Sequence, residues 1–272
     1  MRLKDKVVIV AGAGPGIGEG VVKVLASEGA DTAVVDINEA EAKRIAKDVM
    51  KAGRKAVAIK ADLTDKEECK KVVKTTLDTL GRLDGVVNVV GGLGKPFFEK
   101  ATMDFVDETE EEWNVVFKLN LMPAIFMCQA VIPIFVKQGY GKIVNTASEC
   151  AQYGHLPFVS SYCCSKAAVV FFTKNLAYVM AKHNINVNAI CPGRVYTPGF
   201  HEKVIAKRRE LNPEAYKGKT NEEVFLEMAE TSIPMKRPQS PQDMGYGVVF
   251  LLSEEANNVT GMLMNIDGGS TI

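Results

Sequence analysis

A tyrosine and a lysine four residues apart, Tyr162 and Lys166, are residues whose types and spacing indicate chemistry. The stretch from Ser160 to Lys182 has a helical pattern, and side chains four apart project from one helix face. A phenol and an ammonium are both groups that can donate protons, so the pair is a candidate for chemistry. The spacing alone is common, but Ser148 stands 14 residues earlier, at the end of a predicted strand.

A glycine-rich loop lies between the first apolar run and a helical stretch. Its glycines fit G-x-x-x-G-x-G at Gly12, Gly16 and Gly18, whereas G-x-G-x-x-G fails in every register and no Gly-Lys-Ser/Thr follows. Glycines let the backbone turn tightly and approach a pyrophosphate, and the next helix offers free N–H groups and a positive dipole end. The loop therefore predicts a dinucleotide site, with a merely tight strand-to-helix turn as the alternative.

Asp36 ends the second apolar run, 20 positions after Gly16. An acidic residue there can bond the 2′-hydroxyl of an adenosine ribose, and its charge repels a 2′-phosphate. No arginine stands at positions 37 or 38 to attract such a phosphate. We therefore expect NAD(H) in preference to NADP(H). Alternatively, Asp36 is a helix-capping or turn residue, a role that Asn38 could fill instead.

The elements that must position these residues follow from the hydropathy pattern. Continuous apolar runs, typical of strands buried on both faces, alternate with helical stretches whose apolar residues recur three and four apart. The predicted strands are Val7 to Val10, Ala33 to Val35, Ala56 to Ile59, Gly85 to Val90, Ile143 to Ala147, Ile185 to Ile190 and Met262 to Ile266. The predicted helices include Gly18 to Glu28, Glu39 to Lys51 and Asp65 to Leu80. Because right-handed crossovers keep such strands parallel, we expect an α/β fold, a single doubly wound parallel-sheet domain of the Rossmann type over residues 1–272.

Two segments stand outside this alternation. Gly91 to Glu112 is predicted to be a long loop, and Pro198 to Ser232 a polar helical insertion. Long insertions in compact domains are usually either functional lids or disordered, and we expect residues 198–232 to form a substrate lid. Its run Lys203 to Arg209 could attract an acidic substrate or a CoA phosphate, although a solvated helix face is the favoured interpretation.

Composition argues against several classes of function. The 272 residues carry 33 Lys plus Arg and 33 Asp plus Glu, and the resulting net charge of 0 disfavours nucleic-acid binding by bulk phosphate attraction. Three His, and six Cys without metal-ligand spacing, predict no metal site and reduced thiols. No signal sequence is visible, and no apolar run is expected to reach the roughly 18 residues of a membrane helix. We expect a cytoplasmic protein with neither a nucleic-acid nor a membrane partner.

In these motifs the sequence resembles the short-chain dehydrogenase/reductase family, from Lys6 to the C-terminus. The resemblance rests on the glycine loop, Ser148 and the Tyr162/Lys166 pair. Further matches are Asp62 in Ala61-Asp62-Leu63-Thr64, Asn88 after the fourth strand, Asn120 in Lys118-Leu119-Asn120-Leu121, Pro192-Gly193 followed by Thr197, and Asp267-Gly268-Gly269. These matches occur in the same chain order as in the family and at compatible spacing. Together they are therefore far more specific than any one motif alone.

The resemblance implies hydride transfer between a nicotinamide dinucleotide and a secondary alcohol or ketone, without a metal. It implies Tyr162 as the general acid/base, with Lys166 lowering the phenol's pKa and holding the nicotinamide ribose. Ser148 would bond the substrate oxygen, and Asn120 would hold a water that links Lys166 to solvent. The cofactor-binding residues that it implies are Gly12, Pro15, Gly16, Ile17, Gly18, Asp36, Asp62, Leu63, Asn88, Tyr162, Lys166, Val195 and Thr197.

For five of these cofactor-binding residues, the resemblance also implies which part of the dinucleotide they would contact. Asp62 and Leu63 would meet the adenine, and Asn88 would shape the adenosine side. Val195 and Thr197 would bond the nicotinamide carboxamide.

The sequence departs from the family pattern at two places. Ala11 stands where the family usually has Thr before the first glycine, and Val89-Val90 replace the usual Asn-Ala after Asn88. These changes could weaken hydrogen bonds around the cofactor, but they leave the four predicted catalytic residues unchanged. Taken singly, each of those four could also be an ordinary packing residue.

Other functions and several substrates stay open at this point. One alternative is a non-catalytic cofactor-binding subunit or scaffold, although such members usually lose the Tyr, Lys or Ser. Another is an epimerase or dehydratase, which typically needs more chain than the 81 residues after Cys191. Candidate substrates are a hydroxyacyl-CoA thioester, a hydroxysteroid or bile acid, a cyclic alcohol or diol, and a sugar alcohol, with Tyr153 and His155 as possible pocket residues. The resemblance further implies a homotetramer or dimer, and the apolar end Met262 to Ile272 suits an interface.

Overall fold

Seven parallel strands form the central sheet of the described residues. The computed structural model describes residues 1–99, 104–153, 159–197 and 200–272, without the side chains of residues 200 and 201. The strands are β1 (Val7–Ala11), β2 (Asp31–Asp36), β3 (Ala56–Lys60), β4 (Gly85–Asn88), β5 (Gly141–Thr146), β6 (Ile185–Pro192) and β7 (Leu263–Ile266). Their order is β3-β2-β1-β4-β5-β6-β7, and every neighbouring pair is parallel. The chain winds outward from β1 in one direction and then from β4 in the other, which confirms the predicted doubly wound fold.

Helices cover both faces of this sheet. They are α1 (Ile17–Ser27), α2 (Glu39–Lys51), α3 (Lys66–Leu80), α4 (Gly94–Glu99), α5 (Glu110–Asn120), α6 (Met122–Gln138), α7 (Ser160–Met180), α8 (Phe200–Leu211), α9 (Asn221–Ser232) and α10 (Pro241–Leu252). In β1, Val8 and Val10 face a core shared with α1, α2 and α10, whereas Ile9 and Ala11 face a core shared with α3, α6 and α7. Both faces are buried, which is why the strand is a continuous apolar run.

The predicted elements agree with the structure except in one insertion. Each predicted strand differs from the observed one by at most two residues at either end. Gly91 to Glu112, predicted to be a loop, contains α4 and the start of α5, because Phe97 is buried and Thr109 caps α5 through the Glu112 amide. The insertion over residues 198–232 is helical as predicted, since α8 and α9 lie in it, while its first residues, 198 and 199, lie outside the described residues.

One helical stretch is long and apolar enough to cross a membrane. Glu110–Gln138, which comprises α5 and α6, reaches that length and hydropathy, so the expectation that no stretch would do so is wrong. The two helices meet at Leu121, and α6 packs Met127, Val131 and Phe135 into the core shared with α3 and the sheet. This apolar face therefore serves the interior of the fold.

Close packing of α1 against α10 fixes the helix that follows the glycine loop. A Cβ at Gly20 would lie 2.4 Å from Pro241 Cβ and 2.5 Å from the Pro241 carbonyl carbon. A Cβ at Gly245 would lie 2.7 Å from Val24 Cγ2. Carbon atoms in contact prefer separations of about 3.5–4 Å, so a side chain at either glycine would push the two helices apart.

We expect Gly20→Ala to destabilise the protein. In an exposed helix interior this change is favourable by about 1 kcal/mol, but here the added methyl group overpacks the helix contact, which costs about 1–3 kcal/mol. Urea unfolding should therefore show a lower midpoint. Ser27→Ala, on the exposed end of α1, is the control and should change the midpoint little. A Gly20→Ala protein more stable than the wild type would contradict the close helix contact.

Candidate active site

A cavity of about 470 Å³ lies along the carboxyl-terminal edge of the sheet. Residues that end or directly follow β1 to β6 line it, because parallel pairing brings all these strand ends to one edge. The sequence-predicted residues in its wall are Gly12, Pro15, Ile17, Gly18, Asp36, Asp62, Leu63, Ser148, Tyr162, Lys166, Val195 and Thr197. The fold thus brings most of the predicted site into one continuous cleft.

The glycine loop has the backbone shape that a pyrophosphate site needs. Gly12 and Gly16 have φ of 88° and 118°, in the region that favours glycine. A Cβ at Gly18 would lie 2.1 Å from the Gly12 carbonyl oxygen, so that position has no room for a side chain. Gly16 precedes α1 without a side-chain cap, which leaves the positive end of the helix available to an anion. Gly16 itself packs under Thr197, whose Cγ2 would be 3.0 Å from an added Cβ.

Asp36 is held at the loop by two backbone amides. Its Oδ2 accepts from the Gly14 N–H and its Oδ1 accepts from the Asn38 N–H, each at 2.8 Å. The capping role is filled by Asn38, which accepts from the Ala40 and Glu41 amides at the start of α2. A carboxylate has about four lone-pair sites, so Asp36 keeps capacity to accept ribose hydroxyls in the cavity.

Asp62 and Leu63 line the same end of the cavity as Asp36. The Asp62 carboxylate accepts from the Thr64 amide at 2.9 Å and from the Thr64 hydroxyl at 2.8 Å, which fixes the turn after β3. Leu63 is buried. The two residues provide a polar and an apolar surface at this end, which suits a flat heterocycle.

The Asn88 side chain is not in the cavity wall. It is buried, and its Nδ2 donates to Asn145 Oδ1 at 2.8 Å. Asn145 in turn donates to Thr173 of α7 at 2.9 Å. Asn88 therefore ties β4 to β5 and α7, and the residues after it, 89–92, line the cavity instead.

Ser148 and Tyr162 meet at the end of β5. Ser148 precedes a short 3₁₀ turn, and its Oγ accepts from the Cys150 N–H at 3.4 Å. Tyr162 lies in the first turn of α7, and its hydroxyl hydrogen-bonds with Ser148. Lys166 follows one turn later, with its Nζ 5.8 Å from the centre of the Tyr162 ring. The helical spacing predicted from the sequence therefore brings all three groups to one place.

Burial controls the protonation of the tyrosine and lysine. Lys166 is 2% exposed, and its Nζ donates to the Thr146 carbonyl oxygen at 2.9 Å. Burial lowers the pKa of Lys166 to about 8. Burial also raises the pKa of Tyr162 above its ordinary value. The hydrogen bond from Ser148 lowers this pKa, but burial has the larger effect. Burial thus opposes the charged form of both groups, while a pKa of about 8 leaves Lys166 mostly protonated at neutral pH.

Asn120 holds the backbone that closes the cavity beside Lys166. Its Oδ1 accepts from the Gly92 N–H at 3.0 Å, and its Nδ2 donates to the Gly92 carbonyl at 2.8 Å and to the Val116 carbonyl at 2.9 Å. Asn120 is buried and lies behind the cavity wall. A Cβ at Gly91 would lie 2.6 Å from Asn120 Oδ1 and 2.8 Å from Lys166 Nζ, so Gly91 is where these two groups converge.

Two buried groups directly follow Ser148: Glu149, which sequence reasoning missed, and Cys150, which it interpreted as buried filler near the site. Glu149 is buried, which raises the pKa of its carboxyl, and it hydrogen-bonds with Tyr153. The Cys150 thiol is buried and hydrogen-bonds with the Cys163 thiol, which lowers the pKa of Cys150 and raises that of Cys163. Only their proximity in sequence to Ser148 signalled them. His155, expected near this pocket, lies outside the described residues.

Comparison with known proteins gives consistent matches over the whole chain. A family model described as short chain dehydrogenase matches residues 6–208. Oxidoreductase UcpA of Salmonella typhimurium is 35% identical over 273 residues, covering 100% of this chain and 96% of that protein. Among solved structures, levodione reductase has a TM-score of 0.87 at 29% identity, covering 99% of both chains. NAD⁺-bound xylitol dehydrogenase has a TM-score of 0.85 at 29% identity, covering 99% of this chain and 100% of that one.

We expect Gly91→Ala to weaken dinucleotide binding. The methyl group must displace Asn120 or Lys166, and overpacking of about 1–3 kcal/mol corresponds to a rise in the dissociation constant of roughly 5- to 150-fold. Titration with NADH, followed by its fluorescence, measures this constant. Ser27→Ala, on the exposed end of α1 and outside the cavity wall, is the control. Equal affinities of the two variants would argue against the crowding at Gly91.

Proposed function

The chain belongs to the short-chain dehydrogenase/reductase family of oxidoreductases, and we propose that it transfers a hydride between NAD(H) and a secondary alcohol or ketone. The observation that carries this proposal is that Ser148, Tyr162 and Lys166 line the same cavity as the glycine loop and Asp36. A dinucleotide lying along the strand ends would place its phosphates on the loop and its reactive ring at the tyrosine.

The residues present fit such a cofactor. The shape of the glycine loop and the open end of α1 suit a pyrophosphate. The Asp36 carboxylate, fixed by the Gly14 and Asn38 amides, would accept hydroxyls of the adenosine ribose and repel a 2′-phosphate. Val195 and Thr197 would bond the carboxamide at the other end, where they line the cavity. We therefore propose NAD(H) over NADP(H).

The proton is moved by the tyrosine. The nicotinamide supplies or accepts the hydride when bound. Tyr162 donates its phenolic proton to the ketone oxygen in reduction and, as phenolate, removes the alcohol proton in oxidation. Ser148, which hydrogen-bonds with Tyr162, donates to the same substrate oxygen and stabilises the charge that develops there.

Lys166 makes the tyrosine reactive and holds the cofactor ribose. Its ammonium, anchored on the Thr146 carbonyl, favours the phenolate of Tyr162 and so opposes the effect of burial. Asn120 positions Gly92 and, as part of the same proposal, holds a water that connects Lys166 to solvent. The set Asn120, Ser148, Tyr162 and Lys166 is complete, which argues against a non-catalytic subunit or scaffold.

We also propose a cytoplasmic homo-oligomer that acts on a small molecule, without a nucleic-acid or membrane partner. The support for self-association is on α7, where Cys164, Phe171 and Tyr178 recur every seven residues along one exposed face. Phe171 is 73% and Tyr178 86% exposed. Exposed aromatic residues of this kind favour contact with a second copy of the chain, and the proposed assembly is a tetramer or dimer.

Tyr162→Phe tests the proposed chemistry. The change removes the hydroxyl alone, so turnover should fall by about 10²- to 10⁴-fold while NADH still binds with near wild-type affinity. Turnover is followed by the absorbance of reduced nicotinamide across a panel of secondary alcohols and ketones. Tyr246→Phe, at an exposed position of α10 outside the cavity wall, is the matched control and should keep full activity. Full activity of Tyr162→Phe would refute the assigned mechanism.

Asp36→Asn tests the choice of cofactor. Wild-type kcat/KM should be much higher with NAD⁺ than with NADP⁺. Removing the negative charge while keeping the size of the side chain should relieve the repulsion of a 2′-phosphate and reduce that preference by at least about tenfold, or roughly 1.4 kcal/mol. Asp78→Asn, exposed on α3, serves as the control. A wild-type preference for NADP⁺ would contradict the role given to Asp36.

A further inference from the structure

A second cavity, of about 720 Å³, lies between the short helix α4 and the lid helix α8. We call it the lid groove. Gly92, which Asn120 holds by both its N–H and its carbonyl, lines the lid groove and the catalytic cavity alike. The lid groove therefore continues the cleft outward from the predicted reaction centre.

The basic residues of the lid helix serve two different purposes. Lys203 and Lys207, together with Ala206 and Glu210, line the lid groove at helical spacings of three, four and seven, which is one face of α8. Arg209 turns elsewhere and donates to the carbonyls of Tyr216 and Lys219 at 3.2 and 2.7 Å, which ties α8 to the chain before α9. Lys203 is exposed, as the favoured interpretation of a solvated helix face predicts, whereas Lys207 is buried.

Lys207 is buried in the groove wall, at 7% exposure. In the part of the chain that the structure describes, its ion-pair partner is Glu210, with Nζ to Oε1 at 3.1 Å. The Glu210 side chain is 67% exposed, so water weakens this pair. An ammonium carries three donors, and burying it is unfavourable unless they find acceptors. Lys207 thus has donor capacity that a bound anion would satisfy.

An apolar surface connects the catalytic tyrosine to this part of the groove. Leu93, Phe97 and Val159 form a buried cluster, and Phe98, Tyr162 and Val204 pack against it. Phe98 also lines the lid groove, while Val204 stands next to Lys203 on α8. A molecule that leaves Tyr162 in this direction meets hydrocarbon first and then ammonium groups.

The charged side chains of the groove wall favour a ligand that carries a single negative charge. Among the residues of the groove wall that the structure describes, Lys95, Lys203 and Lys207 face Glu99 and Glu210, an excess of one positive charge. Lys95 and Glu99 already pair at 3.1 Å. A group with several charges, such as a phosphate ester, would be repelled by the two carboxylates, whereas a carboxylate brings a single charge.

We propose that the lid groove binds the carboxylate of an amphipathic substrate, in which an apolar body separates this group from the reacting alcohol or ketone. Lys207 is the specificity-determining residue, and Lys203 adds a second cation at the groove mouth. The inference rests on the proposed function, because it assigns the substrate class of that same site. Phosphorylated and coenzyme-A substrates are disfavoured by the same charges.

A matched ligand series with a charge-removing variant tests the proposal. The ligands are linear oxo-carboxylates, with the keto carbon at increasing distance from the carboxylate, and their uncharged methyl esters. In Lys207→Gln the KM for the best acid should rise about tenfold to a hundredfold, as for loss of a hydrogen bond to a charged group, with kcat within about twofold. The esters should change little, and Lys207→Arg should retain the preference for acids. Lys217→Gln, an exposed lid lysine outside the groove, is the control.

A binding measurement tests the carboxylate site independently of the proposed function. Octanoate and methyl octanoate, which cannot react, are titrated calorimetrically into the wild type and Lys207→Gln, each saturated with NADH. Octanoate should bind the wild type at least about tenfold more tightly than the ester and lose that advantage in the variant. Octanoate binding that is no tighter than that of the ester, or unchanged in Lys207→Gln, would overturn the proposal. Lys207-dependent binding without turnover of any alcohol or ketone would leave the site standing and refute the proposed function.

Discussion

The parallel pairing of β1 with β2 on one side and β4 on the other is the constraint on which the rest of the structure depends. Ala11 at the end of β1 is in register with Val35 and with Asn88, so three chain segments end at the same level. Their connections leave in opposite directions, because the strand order reverses between β1 and β4. The cleft opens at this point, and the glycine loop and Asp36 lie on one side of it.

The chemistry of the cleft depends on burial acting in opposite directions on two neighbouring groups. Burial lowers the pKa of Lys166 to about 8 and raises that of Tyr162, so burial opposes the charged form of each group. A hydrogen bond to the Thr146 carbonyl keeps the lysine in place, and a hydrogen bond with Ser148 favours the phenolate. A bound positive ring would favour the phenolate further, which couples reactivity to cofactor binding.

The substrate specificity that we propose resides on elements that the sheet does not fix. The lid helix α8 is held by Arg209 to the chain before α9 and by Val204 to the cluster around Tyr162. Its groove face can therefore vary without disturbing β1 to β6. This separation of a rigid reaction centre from an appended binding surface is how one fold serves many substrates, and it is why family membership leaves the substrate open.

The sequence by itself determined the features that rest on local spacing. Alternating strand and helix patterns, the glycine loop, Asp36 at a strand end and the Tyr162/Lys166 pair all depend on near neighbours in the chain, and each lies where the pattern predicts. Tertiary structure alone decided which way a side chain turns. Asn88 faces Asn145 instead of the cavity, and Lys207 is buried beside a groove, because both outcomes depend on residues distant in sequence. Periodicity gives the face of an element, but only packing decides what covers that face.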